Sequence, residues 1–181
     1  MSKILKWMAC FAALLASPAA AEGLEGAKTI WLVDGQGARI EIGAVRFRGR
    51  AYQVELKDDA FTDHFLSMRP FKCLEGPDRH WCHVPYPHAI QRRIGPDDLT
   101  DLEYDLLFVW KGAADYGINM WNGVYYRLTM TDRGTLTGQL HEVDMDVLSL
   151  PPQAGDMRPL SADDLHPADP DSHWLPGLVI D

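Results

Sequence analysis

The sequence predicts an all-β fold, mainly antiparallel, in the form of a small β-barrel or β-sandwich with one or two short helices; an α+β arrangement is the alternative. Three observations predict it. Apolar residues recur at every second position in short runs. The runs are separated by Gly, Asp and Pro turns, and helix-period patterns are nearly absent.

The chain begins with a secretory pattern. Lys3 and Lys6 form a short positive segment, an apolar run follows from Trp7 to Ala16, and Ser17-Pro18 breaks it. Ala19-Ala20-Ala21 supplies the small residues that a signal peptidase reads, so cleavage is expected after Ala21. The apolar run is shorter than the roughly 20 residues a membrane span needs. A diacylated Cys10 is the rival reading, but the apolar stretch before it is too short and Trp7 sits where a small aliphatic residue is usual. The expected mature chain runs from Glu22 to Asp181 as one β-rich domain. Its tail, residues 151–181, is rich in Pro and Asp and docks back through Trp174, Leu175, Leu178 and Val179.

The first strands follow in order. Ile30 and Leu32 alternate before the turn Asp34-Gly35-Gln36-Gly37, and Ile40 and Ile42 resume after it. The apolar phase then moves to Val45 and Phe47 across Gly43-Ala44, which predicts a bulge at the glycine. Arg48-Gly49-Arg50 reads as a hairpin turn into Tyr52, Val54 and Leu56. Tyr104 to Trp110, interrupted only by Asp105, reads as a deeply buried strand. A clear hairpin places Tyr126, Leu128 and Met130 before Thr131-Asp132-Arg133-Gly134, with Leu136 and Leu140 beyond. A further phase change after His141-Glu142 predicts a second bulge or a strand switch, leading to Val143, Met145 and Val147. Two short helices are expected, one from Pro96-Asp97-Asp98 through Leu99 and Leu102, the other from a capping box at Ser161 and Asp164.

Charge and cysteines narrow the setting. Loss of the signal removes two lysines and no acids, leaving 15 cations against 26 acids and a net charge of −11. That sign argues against nucleic acid or an anionic membrane surface as partner, because both demand basic patches. No later segment is long and apolar enough to span a bilayer. Cys73 and Cys82, an even pair in an exported chain, predict a disulfide at the base of the turn-like residues 74–79. The localisation expected is periplasmic or secreted.

Four stretches are candidate sites. The first, residues 110–126, joins large rings to amides; Trp110, Tyr116, Asn119, Trp121 and Tyr125 could bind a small organic ligand, or could simply cap the core. The second, Ser67 to Lys72, adds Arg69 and Lys72, which could grip an anion or pair with Asp63 or Glu75. The third is His80, His83 and His88, with Asp78 nearby, an alternative metal set; on a strand, His80 and His83 would face opposite ways and could not share an ion. The fourth, Glu142, Asp144 and Asp146, would line one column of a strand, as a calcium or acid–base site or as a solvated face.

No Gly-x-Ser-x-Gly, Ser-x-x-Lys, His-Glu-x-x-His, CxxCH or phosphate-binding glycine loop is present, and no cofactor is expected. The leading expectation is a non-enzymatic exported binder of a small apolar or amphipathic ligand. The alternatives are an envelope module that recognises another protein and a metal-assisted hydrolase.

Overall fold

The computed structural model describes residues 24–181. The expected signal peptide, residues 1–21, lies outside the described residues. From Leu24 onward the chain is mostly antiparallel β-sheet with few short helices, as the alternation predicts. The strands are β1 (Gly26–Val33), β2 (Arg39–Arg48), β3 (Ala51–Leu56), β4 (Thr62–Leu66), β5 (Arg69–Glu75), β6 (Arg79–His83), β7 (Phe108–Gly112), β8 (Gly123–Met130), β9 (Leu136–Val143), β10 (His166–Pro167) and β11 (Gly177–Ile180). A single α-helical turn and a half, α1 (Thr100–Tyr104), joins short 3₁₀ turns among the described residues.

All the strands belong to one sheet, in the order β3-β2-β1-β11-β9-β8-β7-β6-β5-β4, with the short β10 beside β9. The two end strands do not pair with each other, so the sheet is not a closed barrel. Yet residues from both ends share one hydrophobic core: Ile42, Phe47 and Tyr52 from the β2–β3 end meet Leu74, Trp81 and Phe108 from the β5–β7 end. The sheet must therefore curl around that core. The opening is filled by the segment before β7, through Ile94, Leu99, Leu102 and Leu106.

Several elements follow the sequence closely. β1 and β2 pair with a register shift between Ile30↔Gly43 and Trp31↔Glu41, which makes Ile42 the bulged residue beside the predicted glycine. Gly43 is required there, because a Cβ would fall 2.9 Å from Leu56 Cα on β3. The β8–β9 hairpin is in register from Met130↔Leu136 to Gly123↔Val143. The Ser161–Asp164 capping box is present.

Others differ, each for a physical reason. The β8–β9 ladder is unbroken through His141 and Glu142, so no bulge interrupts it. The apolar phase changes because a layer covers the opposite face: Leu140 belongs to the inner core and Val143 to an outer one. Beyond Val143 the chain leaves the sheet in a 3₁₀ helix, Met145–Ser149, capped by Asp144, so Glu142, Asp144 and Asp146 do not form one strand column. The Tyr104–Trp110 run divides between α1 and β7. The tail does more than wrap the surface: β11 is a central strand between β1 and β9.

The outer core covers only one part of the sheet. Phe71, Cys73, Cys82, Val109, Tyr125 and Val143 point to that face, beneath Tyr104, Leu107, Met145 and Leu148. β6, β7 and the first half of β8 are thus buried on both faces, whereas β2 and β3, like the distal part of the β8–β9 hairpin, alternate buried and solvated residues.

Three acids on and just after α1 hold the covering layer. Asp101 accepts from the Arg158 guanidinium at 2.7 Å and from the Arg93 amide at 3.0 Å. Asp105 accepts from Arg92 at 3.1 Å and from the Tyr52 hydroxyl at 2.9 Å. Glu103 accepts from the Tyr125 hydroxyl and, at 2.6 Å, from the Leu128 amide. β7 pairs with β8 only at Gly123 and Val124. The Leu128 amide beyond that point would otherwise be a buried donor without a partner, a costly defect.

Candidate functional site

Cys73 and Cys82 face each other across β5 and β6 and form a disulfide, with Cα atoms 3.9 Å apart. Past this rung the two strands separate: β5 continues toward Arg69 without a partner on β6. The β4–β5 hairpin therefore projects from a stapled base. Its turn uses Ser67 and Met68 in the left-handed region, at φ 47° and 70°. This is the two-residue turn that suits a hairpin, made without the glycine that usually relieves it.

The hairpin also ends the sheet. In a two-residue hairpin the closing pair Leu66↔Arg69 exchanges hydrogen bonds, and so do alternate pairs beyond it. Phe65↔Pro70 is then a non-bonded pair, which suits a residue with no N–H. By the same alternation, the backbone groups of Asp63 and Phe65 point outward. Nothing among the described residues pairs with that edge. The other end of the sheet is covered at the start of its edge strand: the Tyr52 amide donates to Arg92 O and the Ile94 amide to Arg50 O.

Large exposed hydrophobic side chains gather in this region. Among the described residues they are Phe65, Met68, Tyr116, Trp121, Val147 and Leu150, from 42% exposed at Val147 to 99% at Tyr116. They come from three segments that touch: the hairpin tip, the loop 113–122 and the 3₁₀ helix Met145–Ser149 with its C-terminal cap. A Cβ on Gly117 would lie 3.7 Å from Ser67 Oγ, which sets the loop against the hairpin. Trp121 Nε1 donates to Asp146 at 2.9 Å, which ties the loop to the helix. Ile118, Met120, Met145 and Leu148 are turned inward beneath them, onto the outer core.

The residues singled out in the sequence do not converge on one cavity. Trp110 lies on the inner face, its ring under the Arg79 guanidinium at 4.2 Å. Tyr125 lies on the outer face, buried against Glu103. Tyr116 and Trp121 project into solvent, and Asn119 caps the turn by accepting from the Trp121 amide. Arg69 stacks on Phe71 at 4.8 Å, and Lys72 pairs with Asp58 at 2.8 Å. His80 and His83 face opposite sides of β6, as strand alternation requires. His83 packs on Phe108 and bonds to Asp105 O, where burial pushes its imidazole below the usual range. His88 packs on Tyr86 in the following loop. Phe65, Val147 and Leu150 were not among the sequence candidates, and Met68 lay inside the Ser67–Lys72 candidate without being singled out. Phe65 sits where a solvated edge residue would be polar, and that breach of alternation is the one sequence signal that marks it.

No protein-family model, no curated protein and no solved structure matches the chain.

Proposed function

We propose that this protein is an extracytoplasmic recognition module that binds another protein through the β4–β5 hairpin, the loop 113–122 and the 3₁₀ helix Met145–Ser149 with its cap Leu150. The carrying observation is the confinement of every large exposed hydrophobic side chain, among the described residues, to these three adjoining segments. An apolar surface of this kind is costly in water unless a partner covers it. Trp, Tyr, Phe and Met are also enriched at the cores of such surfaces, and Trp and Tyr recur among the residues that supply most of the binding energy.

The free edge of β4 favours one form of partner, an extended segment. Asp63 and Phe65 offer outward backbone donors and acceptors for an added strand. Apolar side chains of that strand would meet Phe65 and Met68, and a partner that crosses the hairpin tip would reach Tyr116 and Trp121. The disulfide supports the reading twice. It fixes the hairpin before the partner arrives, which lowers the ordering cost of binding. It also suits the oxidising space to which a secretory leader would deliver the chain. A small-ligand site draws less support, because Trp110 and Tyr125 stand on opposite faces of the sheet.

Site-specific photocrosslinking in the producing cells tests the proposal. Photoreactive side chains at Phe65 and Tyr116 are expected to give one defined protein adduct, which Trp121→Ser reduces at least fivefold. The same probe at Gln53, on the solvated face of β3, is expected to give none. Absence of an adduct at both patch positions, or identical products from all three, would overturn it.

A further inference from the structure

Antiparallel pairing brings a second group of side chains together near the base of the hairpin. Glu75 on β5 stands directly opposite His80 on β6, one rung beyond the disulfide pair Cys73↔Cys82. His64 on β4 pairs with Phe71 and so shares the face of Cys73 and Glu75. The three side chains meet. His64 Nε2 lies 3.0 Å from Glu75 Oε1, and the rings of His64 and His80 approach edge to face at 5.2 Å. One ligand atom from each residue falls within 4.8 Å of the other two.

His80 is 9% exposed, and its Nδ1 is buried with no hydrogen-bond partner. A buried imidazole nitrogen left without a donor or acceptor is costly and calls for an explanation. We propose that His64, Glu75 and His80 bind a divalent transition-metal ion, zinc being the first candidate.

The donor set selects the ion. Two imidazoles and one carboxylate suit zinc, copper or nickel, whereas calcium and magnesium prefer oxygen alone. Three protein ligands, with Glu75 and His64 partly exposed, leave at least one position for water or another group. The disulfide sets the register that holds Glu75 opposite His80, so the site is largely formed before the ion enters. A cation stands nearby as well: Lys111 pairs with His80 across β6 and β7 and directs its ammonium to Gly112 O at 2.8 Å. Glu75 offsets that charge, and affinity is expected to be micromolar rather than picomolar. An ion here would bridge β4, β5 and β6 and so brace the same hairpin, but its binding does not depend on any protein partner.

Isothermal titration of oxidised, chelator-treated protein with zinc chloride tests the proposal. The expected result is one ion per chain. His64→Ala and Glu75→Gln each weaken binding at least tenfold, while His166→Ala, at an exposed histidine elsewhere, leaves it unchanged. Both test positions lie on the rim, and unchanged circular dichroism would show that the variants fold. X-ray absorption of the zinc-loaded protein is expected to show nitrogen and oxygen neighbours at about 2.0–2.1 Å and no sulfur. Absence of saturable binding at 1:1 up to about 100 micromolar zinc, nickel and copper would overturn the site. So would binding that survives both substitutions, or that falls equally in His166→Ala.

Discussion

The two ends of the sheet are built on opposite terms. At the β3 end, one face packs inward, the other face is polar, and the first residues of the edge strand are covered by main-chain bonds with residues 92 and 94. No large hydrophobic residue is exposed on β1 to β3. At the β4 end, both faces of the neighbouring strands are buried, the edge is open, and apolar side chains stand in water. The first end obeys the rules that protect a soluble sheet. The second breaks two of them together, and departures of that kind concentrate where a protein meets something else. The staple fastens β5, the strand on which β4 pairs, to β6, so the open edge is carried on a hairpin held at its base.

One residue type placed at both ends gives the sharpest way to break this comparison. Phe47 on β2 is buried in the inner core, whereas Phe65 on β4 is 71% exposed. Phe47→Ala is expected to destabilise the fold by about 3–5 kcal/mol, through lost burial and the cavity left behind. Phe65→Ala is expected to stay within about 0.5 kcal/mol. Urea unfolding of the two variants is the measurement. A cost above about 2 kcal/mol at Phe65 would mean that its ring supports the fold, and the contrast between the ends would disappear.

The same contrast explains how much of the fold was legible in the sequence. Where one face is solvated, the period-two pattern maps directly onto structure: Tyr52 and Val54 on β3, the bulge beside Gly43, and Leu128 and Leu136 in the β8–β9 hairpin. Where both faces are buried, the pattern carries no side information. Tyr104–Trp110 then reads as one apolar run, although α1 ends at Tyr104 and β7 begins at Phe108. Likewise, Val143 and Met145 look like a strand continuing after a bulge, when they mark the start of a second covered face. The aromatic stretch was visible as a candidate, but not its partition: Trp110 and Tyr125 point to opposite faces because register, not composition, decides which way each ring turns. His64 and Glu75 lay beyond reach for the same reason. They are eleven positions apart, and only the pairing of three strands makes them neighbours of His80.

The disulfide should matter locally more than globally. Replacing both Cys73 and Cys82 by Ser removes a cross-link that closes a short loop, at a cost of about 2–3 kcal/mol in the chain-entropy model. The sharper expectation concerns where the loss falls. Amide exchange at residues 62–75 should accelerate well beyond that at residues 26–56, because the hairpin pairs with no further strand past the Cys73↔Cys82 rung. Uniform acceleration across both ends would show that the staple serves the whole sheet rather than the projecting edge.

The smallest effect concerns the seam between the ends, where α1 lies along the part of β8 that β7 leaves uncovered. Burial pushes the Glu103 carboxyl above its ordinary value of 4.5, against the opposing pull of the hydrogen bonds from Tyr125 and Leu128. From pH 4.5 up to its raised native value, the folded chain holds a proton that the unfolded chain has released. Stability contributed by this group is therefore complete below pH 4.5 and declines as pH rises through that window. Asp98 works the other way: the Arg158 guanidinium holds its carboxyl below the ordinary 3.8, so its contribution is lost as pH falls through the range beneath that value. The summed contribution of these two groups alone is therefore greatest between the windows, from pH 3.8 to 4.5. Glu103→Gln keeps an acceptor for the Leu128 amide but cannot ionise. The stability of the native protein relative to this variant should fall from pH 4.5 upward, no more steeply than about 1.4 kcal/mol per pH unit, the limit for one proton. Urea midpoints measured from pH 3 to 8 would settle the sign. A difference that grows with pH would mean that Glu103 is held charged, with Tyr125 and Leu128 outweighing burial, and that α1 is fastened to β8 by an anion rather than by a shared proton.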